Sequence, residues 1–234
     1  MTSIAQWAEV HRLAVAGREA VIARDVGDLV GRVWLRTSRF ADVAALAQAT
    51  LTLGPDAGAL YHLGWAQNAI GQPREALTTY EQALALYRAA GDRGNEAAAL
   101  NNIGLVHSNL RDQQQALTYY QQALPILRNV GNRAGEATTL NNIGGVYNHL
   151  GDRQQALTYF QQALPIQREV GDRAGEAVTL FNIAMIHDAE GDIDQAIGEL
   201  ELVVDLDRQI GHPDLESDTA LLEQVRRERD TRPD

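Results

Sequence analysis

The sequence predicts an all-α protein, a solenoid of antiparallel helical hairpins. Three observations carry that expectation. Residues 101–140 and 141–180 share about 29 identities in roughly 40 positions, an internal repeat of the kind that builds solenoids. Glycine punctuates the repeat twice. Gly91, Gly131, Gly171 and Gly211 form one series, and Gly71, Gly151 and Gly191 another, with Arg111 standing where a further glycine would fall. Between the breaks lie segments of about 15–18 residues, ordinary helix length. Their apolar residues recur at helical spacing, as in Ala156, Leu157, Phe160, Ala163 and Leu164. One such hairpin cannot bury its own apolar face, whereas a stack of them buries a continuous core.

The elements follow in order. Residues 4–24, IAQWAEVHRLAVAGREAVIAR, read as one helix with Trp7, Val10, His11, Ala14 and Val15 along one face, so 1–24 would be a cap or half repeat. A shorter repeat occupies 25–56 and four longer ones fill 57–212. Pro213 opens a final helix over 213–229 whose charged outer face suits the cap that a solenoid needs for solubility. Residues 230–234 are expected to be a disordered tail. Within the long repeats, Asp112–Gln115, Asp152–Gln155 and Asp192–Gln195 have the spacing of a capping box. Pro125 and Pro165 fall inside second helices, where a missing N–H and a ring clash predict kinks. Ala85 and Asp205, in the same slot, predict straighter helices.

Composition excludes several classes of function. The 234 residues are 45% hydrophobic and 22% charged, which suits a globular chain rather than a disordered one. Cysteine is absent, so no disulfide framework, zinc knuckle or thiol nucleophile is available. No apolar run approaches the roughly 18–20 residues that span a bilayer, and MTSIAQWAEVHR lacks the pattern of a signal peptide. A cytoplasmic location without membrane partners is expected. The net charge is -11 and all 20 basic residues are arginine, which points to a GC-rich bacterial coding bias; with no basic stripe, no nucleic-acid partner is expected. The histidines show no metal-ligand spacing, and no nucleophile elbow, P-loop or dinucleotide fingerprint occurs. The expectation is therefore no catalytic residue, no metal and no cofactor.

The residues also carry a family resemblance. Gly144, Tyr147, Ala156, Phe160 and Ala163 match in type and spacing the signature of the tetratricopeptide repeat (TPR), as do Gly104, Ala116, Tyr120 and Ala123, and Gly64, Ala76, Tyr80 and Ala83. Ala184, Ala196 and Leu200 fit more loosely, and Gly31, Trp34, Phe40 and Pro55 resemble a shorter unit. The resemblance spans roughly residues 25–210, with repeats about six residues longer than usual. It implies a right-handed superhelix in which the first helix of each hairpin lines a concave groove.

By that resemblance the groove would carry Tyr61, His62 and Trp65, then Asn101, Asn102, Leu105 and Asn109, then Asn141, Asn142, Asn148 and His149, then Asn182, Met185 and Asp188. The units are similar to those of kinesin light chains, where a column of asparagines grips an extended peptide. A carboxamide offers donor and acceptor together and so can bond both backbone groups of a strand. On this reading Asn102, Asn142 and Asn182 form the ladder, with specificity left to neighbouring pockets. The bland alternative is that these amides bond to the adjacent helix. The implied partner is a protein or peptide, with a basic segment steered toward the acidic block in 181–220, where Asp188 would touch it. A second reading comes from the GDRAGEA connectors, which resemble TPR arrays of bacterial regulators; the chain would then be a sensor or oligomerisation segment of a larger protein. Near-identical repeats can also associate with copies of themselves.

Overall fold

The computed structural model describes residues 3–231. Among them are twelve helices and no strand: α1 (Ile4–Ala16), α2 (Ala20–Arg36), α3 (Phe40–Leu51), α4 (Ala57–Ala69), α5 (Pro73–Ala90), α6 (Arg93–Asn109), α7 (Gln113–Asn129), α8 (Arg133–His149), α9 (Arg153–Val170), α10 (Arg173–Glu190), α11 (Ile193–Ile210) and α12 (Leu215–Thr231). They fall into two compact units, Met1–Ile126 and Leu127–Asp234. In the first, each helix from α1 to α6 packs on the next, and α2, α4 and α6 also touch one another in turn. In the second, α8 to α12 pack in sequence and α8 touches α10. Alternate helices thus form one layer of each unit, which is how hairpins stack.

The expected single helix over 4–24 is corrected: α1 stops at Ala16 and α2 begins at Ala20. The chain reverses through Arg18 in the left-handed region, φ 59°, and does so again through Ser38, φ 55°, and Arg111, φ 63°. These three do the work that glycine does at Gly71, Gly91, Gly131, Gly151, Gly171, Gly191 and Gly211. Glycine enters that region without a Cβ penalty. At the first break Gly17 caps α1 but keeps an ordinary φ of -79°, and the left-handed turn falls on Arg18 beside it. The tail is corrected in part, because Asp230 and Thr231 belong to α12; residues 232–234 lie outside the described residues.

Caps divide differently from the capping-box spacing. Asp112 and Asp152 accept from the Gln115 and Gln155 amides at 3.3 and 3.1 Å, but Asp192 makes no such bond. Asp56, Asp92, Asn132 and Asp172 cap the first helices of the long hairpins in the same way, each satisfying an orphan N–H. Helices α7 and α9 run on past Pro125 and Pro165.

The core shows why the repeat keeps its glycines. A Cβ on Gly64 would lie 2.9 Å from the Tyr80 ring, on Gly104 2.7 Å from Tyr120, and on Gly144 2.7 Å from Phe160. Each ring is fully buried against the bare backbone of its partner helix. In the last long hairpin Ala184 replaces the glycine and Leu200 the ring, so a methyl is gained where an aromatic is lost. A second recurring device fastens the junctions. The buried carboxylates Glu96, Glu136 and Glu176 are each held by two arginines. The first of each pair, Arg88, Arg128 or Arg168, bonds at 3.0, 2.7 and 2.5 Å respectively. The second is Arg93, Arg133 or Arg173.

Candidate functional site

In the first unit the α2–α4–α6 layer carries a pocket of about 760 Å³. Arg24, Asp25, Asp28, Arg32 and Arg36 come from α2, and Tyr61, His62 and Trp65 from α4; Tyr87 of α5 and Asn95 of α6 complete the wall. Arginines alternate with aspartates here. Arg32 pairs with Asp28 at 2.5 Å and Arg24 with Asp56 at 3.5 Å, while Arg36 has no acidic partner among the described residues. Beneath them lies an aromatic floor. Tyr61 stands edge-on to His62, Trp65, Tyr80 and Tyr87, with ring centroids 5.7–6.5 Å apart, a favoured geometry for aromatic pairs. Burial pushes the Tyr61, Tyr80 and Tyr87 phenols up, so all three stay neutral hydrogen-bonding groups.

The sequence-derived residues divide into those on the surface and those tied into the fold. Trp65 is 43% exposed and stands at the pocket edge. His62 is buried, wedged where a Gly31 Cβ would lie 2.6 Å from its Nδ1, with Nε2 3.6 Å from Asp28. Burial, helped by the Arg32 charge, lowers its pKa against the opposing pull of Asp28 and Asp56. Asn102 is half-buried and donates from Nδ2 to the Tyr61 hydroxyl at 2.9 Å, so this amide is oriented by the neighbouring hairpin. Asn101 is half-buried and engaged; Leu105 and Asn109 are exposed.

In the second unit Asn141 belongs to a polar chain between hairpins. Gln167 Nε2 donates to the Thr179 hydroxyl at 2.9 Å, which donates to Asn141 Oδ1 at 2.8 Å. Asn142 and Asn182 are half-buried, Asn142 with a partner of its own. Met185 packs against the Ala184–Leu200 cluster, Asp188 is half-buried, and Asn148 and His149 are exposed at the end of α8. A Cβ on Gly145 would meet nothing within 4 Å, which leaves open space beside Asn141 and Asn142. His107 stacks on Tyr119 at 5.4 Å, as Tyr147 does on Tyr159, and the buried His187 has its Nδ1 2.9 Å from Glu199.

The repeat signature, the glycine–ring packing and the hairpin order agree with the family comparison. The tetratricopeptide repeat profile matches residues 57–129 and 135–209, more than half of the chain. The chain belongs to the tetratricopeptide repeat family. Solved structures similar to this TPR protein include BtubC (BKLC) from P. vanneervenii, 18% identical, with a TM-score of 0.73 over 90% of this chain and 93% of that one. The apo form of the quorum sensor NprR from B. thuringiensis is 18% identical, with a TM-score of 0.77 over 96% of this chain and 65% of that one. The nearly identical TPR-like repeats of a Podosopora anserina kinesin light chain-type protein are 16% identical, with a TM-score of 0.62 over 79% and 94%. At these identities the likeness is one of fold. No curated protein sequence matches this TPR chain.

Two features of the TPR chain escaped the sequence reading. The arginine–aspartate border of the pocket comes from α2, whose charged residues Arg24, Asp25, Asp28, Arg32 and Arg36 were not among the expected site residues. An acidic pair, buried Asp207 with half-buried Asp218, occupies the last junction. The signal for it was available: Asp207 interrupts the apolar ladder of α11 at the slot held by Tyr87, Leu127 and Gln167. Among the described residues no helix is long and apolar enough to cross a membrane, and no acidic or histidine group is arranged to hold a metal ion.

Proposed function

We propose that this TPR array is a non-enzymatic protein-interaction module that holds an extended segment of a partner protein. The observation that carries this reading is the pocket of the first unit. It combines an aromatic floor with charges of both signs and an unpaired arginine, the mixture that anchors a peptide side chain and orients its backbone. Asn102 is already positioned by Tyr61 beside that floor, so its ordering cost is met before a partner arrives. Asn142 and Asn182 play the same part on the second unit's inner layer, with the open space at Gly145 accepting a side chain.

A second reading, a sensor segment working inside a larger bacterial regulator, draws on the likeness to NprR, a quorum sensor. Both readings share the groove and differ in whether the peptide is free or tethered.

The test is selection from a displayed random-peptide library, followed by fluorescence polarisation of the enriched peptides. Trp65→Ala, Asn102→Ala and Asn142→Ala should each weaken binding at least tenfold while circular dichroism and melting temperature stay within a few degrees of the parent. Equal binding by the parent and all three variants would remove the function from these faces.

A further inference from the structure

The last junction of the second unit contains a feature that peptide capture does not require. Between α10, α11 and α12 lies a pocket of about 150 Å³ lined by Ala174, Ala177, Val178 and Phe181 of α10 and Val203 of α11, with Asp207, His212, Asp214 and Asp218 at its other side. Asp207 is 2% exposed and its Oδ2 is buried with no hydrogen-bond partner. No arginine lines the pocket. His212 Nδ1 accepts from the Asp214 backbone N–H at 3.3 Å and lies 3.8 Å from the carboxylates of Asp207 and of Asp214, too far to bond either carboxylate. Asp218 is within hydrogen-bonding reach of Asp207, but it too is a carboxylate, and one shared proton is the most such a pair can hold.

We propose that this pocket receives a basic side chain, arginine or lysine, of an extended partner segment. The walls supply the apolar surface that a basic side chain's methylene stem covers. The end supplies two carboxylates for the cationic head, half-buried Asp218 and Asp207, the latter sheltered from water where a charge-assisted bond is strong. The space suits one side chain and is small for a larger ligand. The scattered geometry of His212, Asp207 and Asp214 does not suit a metal ion. The proposal deepens the peptide-binding reading by stating the charge of the partner, and it places the acidic contact at Asp207 and Asp218 rather than at Asp188.

The titration of Asp218 is consistent with this role. Burial, the bond to Asp207 and the charges of Asp207 and Asp214 raise it to about 6, against the opposing effect of His212. The groups facing Asp218 are therefore Asp207 on α11 and His212 and Asp214 on the connector; the α10 wall is apolar. A cation entering the pocket takes the place of the shared proton, so its affinity rises as pH passes through that value.

The test uses probes without a peptide group, so that its failure and that of the groove reading are distinguishable. n-Butylguanidinium, n-butylammonium and the neutral isostere n-butylurea are titrated into the ¹⁵N-labelled full chain. The amide shifts of Val178, Gly211 and His212 are followed at pH 5.0 and 7.5. Both cations should give saturable shifts at those amides, at least tenfold tighter than butylurea and tighter at pH 7.5 than at pH 5.0. Asp207→Asn should weaken them at least tenfold. Because that variant alters the core, Val178→Trp provides a second arm: Val178 is 50% exposed, and the indole should close the pocket mouth without touching a carboxylate. Butylurea binding as tightly as the cations, unsaturable shifts, or cation binding unchanged in both variants would each overturn the proposal.

Discussion

Gln167 and Asp207 occupy the same slot, one repeat apart, near the ends of α9 and α11. Both are buried. Gln167 reaches Thr179 and through it Asn141. At the next repeat the equivalents of those partners are Thr219, whose hydroxyl turns back to the Leu215 carbonyl at 2.7 Å, and Phe181, which has no polar group to offer. Gln167 keeps one unpartnered oxygen, a neutral carbonyl; at Asp207 the unpartnered oxygen belongs to a carboxylate. The first arrangement ties hairpin to hairpin, while the second leaves a buried carboxylate oxygen without a hydrogen-bond partner at a pocket. The junctions differ in the same direction. Glu176 is gripped by Arg168 and Arg173, but at the last junction Pro213 stands in place of the second arginine, Arg208 pairs with Asp205 instead, and Glu216 is exposed. Near-identical repeats are fastened to one another; the divergent one is left open.

The largest effect should come from breaking the closed side. Thr179→Val leaves the Gln167 amide and the Asn141 carbonyl without partners, and a loss of about 2–3 kcal/mol is expected in chemical denaturation. Opening the comparison the other way, Asp207→Leu supplies the residue that Leu127 provides two repeats earlier. Removing a buried, unpaired carboxylate should stabilise the chain by about 1–2 kcal/mol while abolishing cation binding at the last junction.

A third effect is one of sign. Asp218 is raised from 3.8 to about 6 in the fold, so between those values the folded state binds more protons than the unfolded one. Stability from this group is present at low pH and is lost as pH rises toward 6. In the first unit, His11, by burial, and His62, by burial and Arg32, are lowered from 6.5. Their contribution is present above about pH 6.5 and is lost as pH falls below it. Hydrogen-exchange protection, normalised for intrinsic rates, should therefore move in opposite directions around the two sites between pH 7 and pH 5. Asp218→Asn should abolish the trend at α12 only. The smallest effect should follow Pro213→Arg, which restores the second arginine beside Glu216. Because that pair lies at the surface, a gain under about 1 kcal/mol in melting experiments is expected.

Much of the fold was legible because its determinants are local and repeated. Glycine breaks, helical spacing and the small–large pairs of Gly104 with Tyr120 and Gly144 with Phe160 can be read in a sequence that states them several times. The break at Arg18 was harder to read: Gly17 stands beside it, but the left-handed residue is the arginine, which the packing around it holds there. The candidate site was half legible. Tyr61, Trp65 and Asn102 came from the family resemblance, and in the structure Tyr61 contacts both of the others. Their charged border on α2 was not legible, because which charged side chains converge on Tyr61 and Trp65 depends on how α2 packs on α4.

The sequence by itself determined the helical repeat, its period and the small–large pairing, because backbone preference and side-chain volume act over a few residues. Only the tertiary structure decided whether a polar residue in a given slot is satisfied. Gln167 and Asp207 look alike along the chain, and what separates them lies across the junction: Thr179 and through it Asn141 for one, Phe181 and a Thr219 turned back on its own helix for the other. Hydrogen bonds and buried charge are settled by neighbours in space, and that is where this protein differs from one repeat to the next.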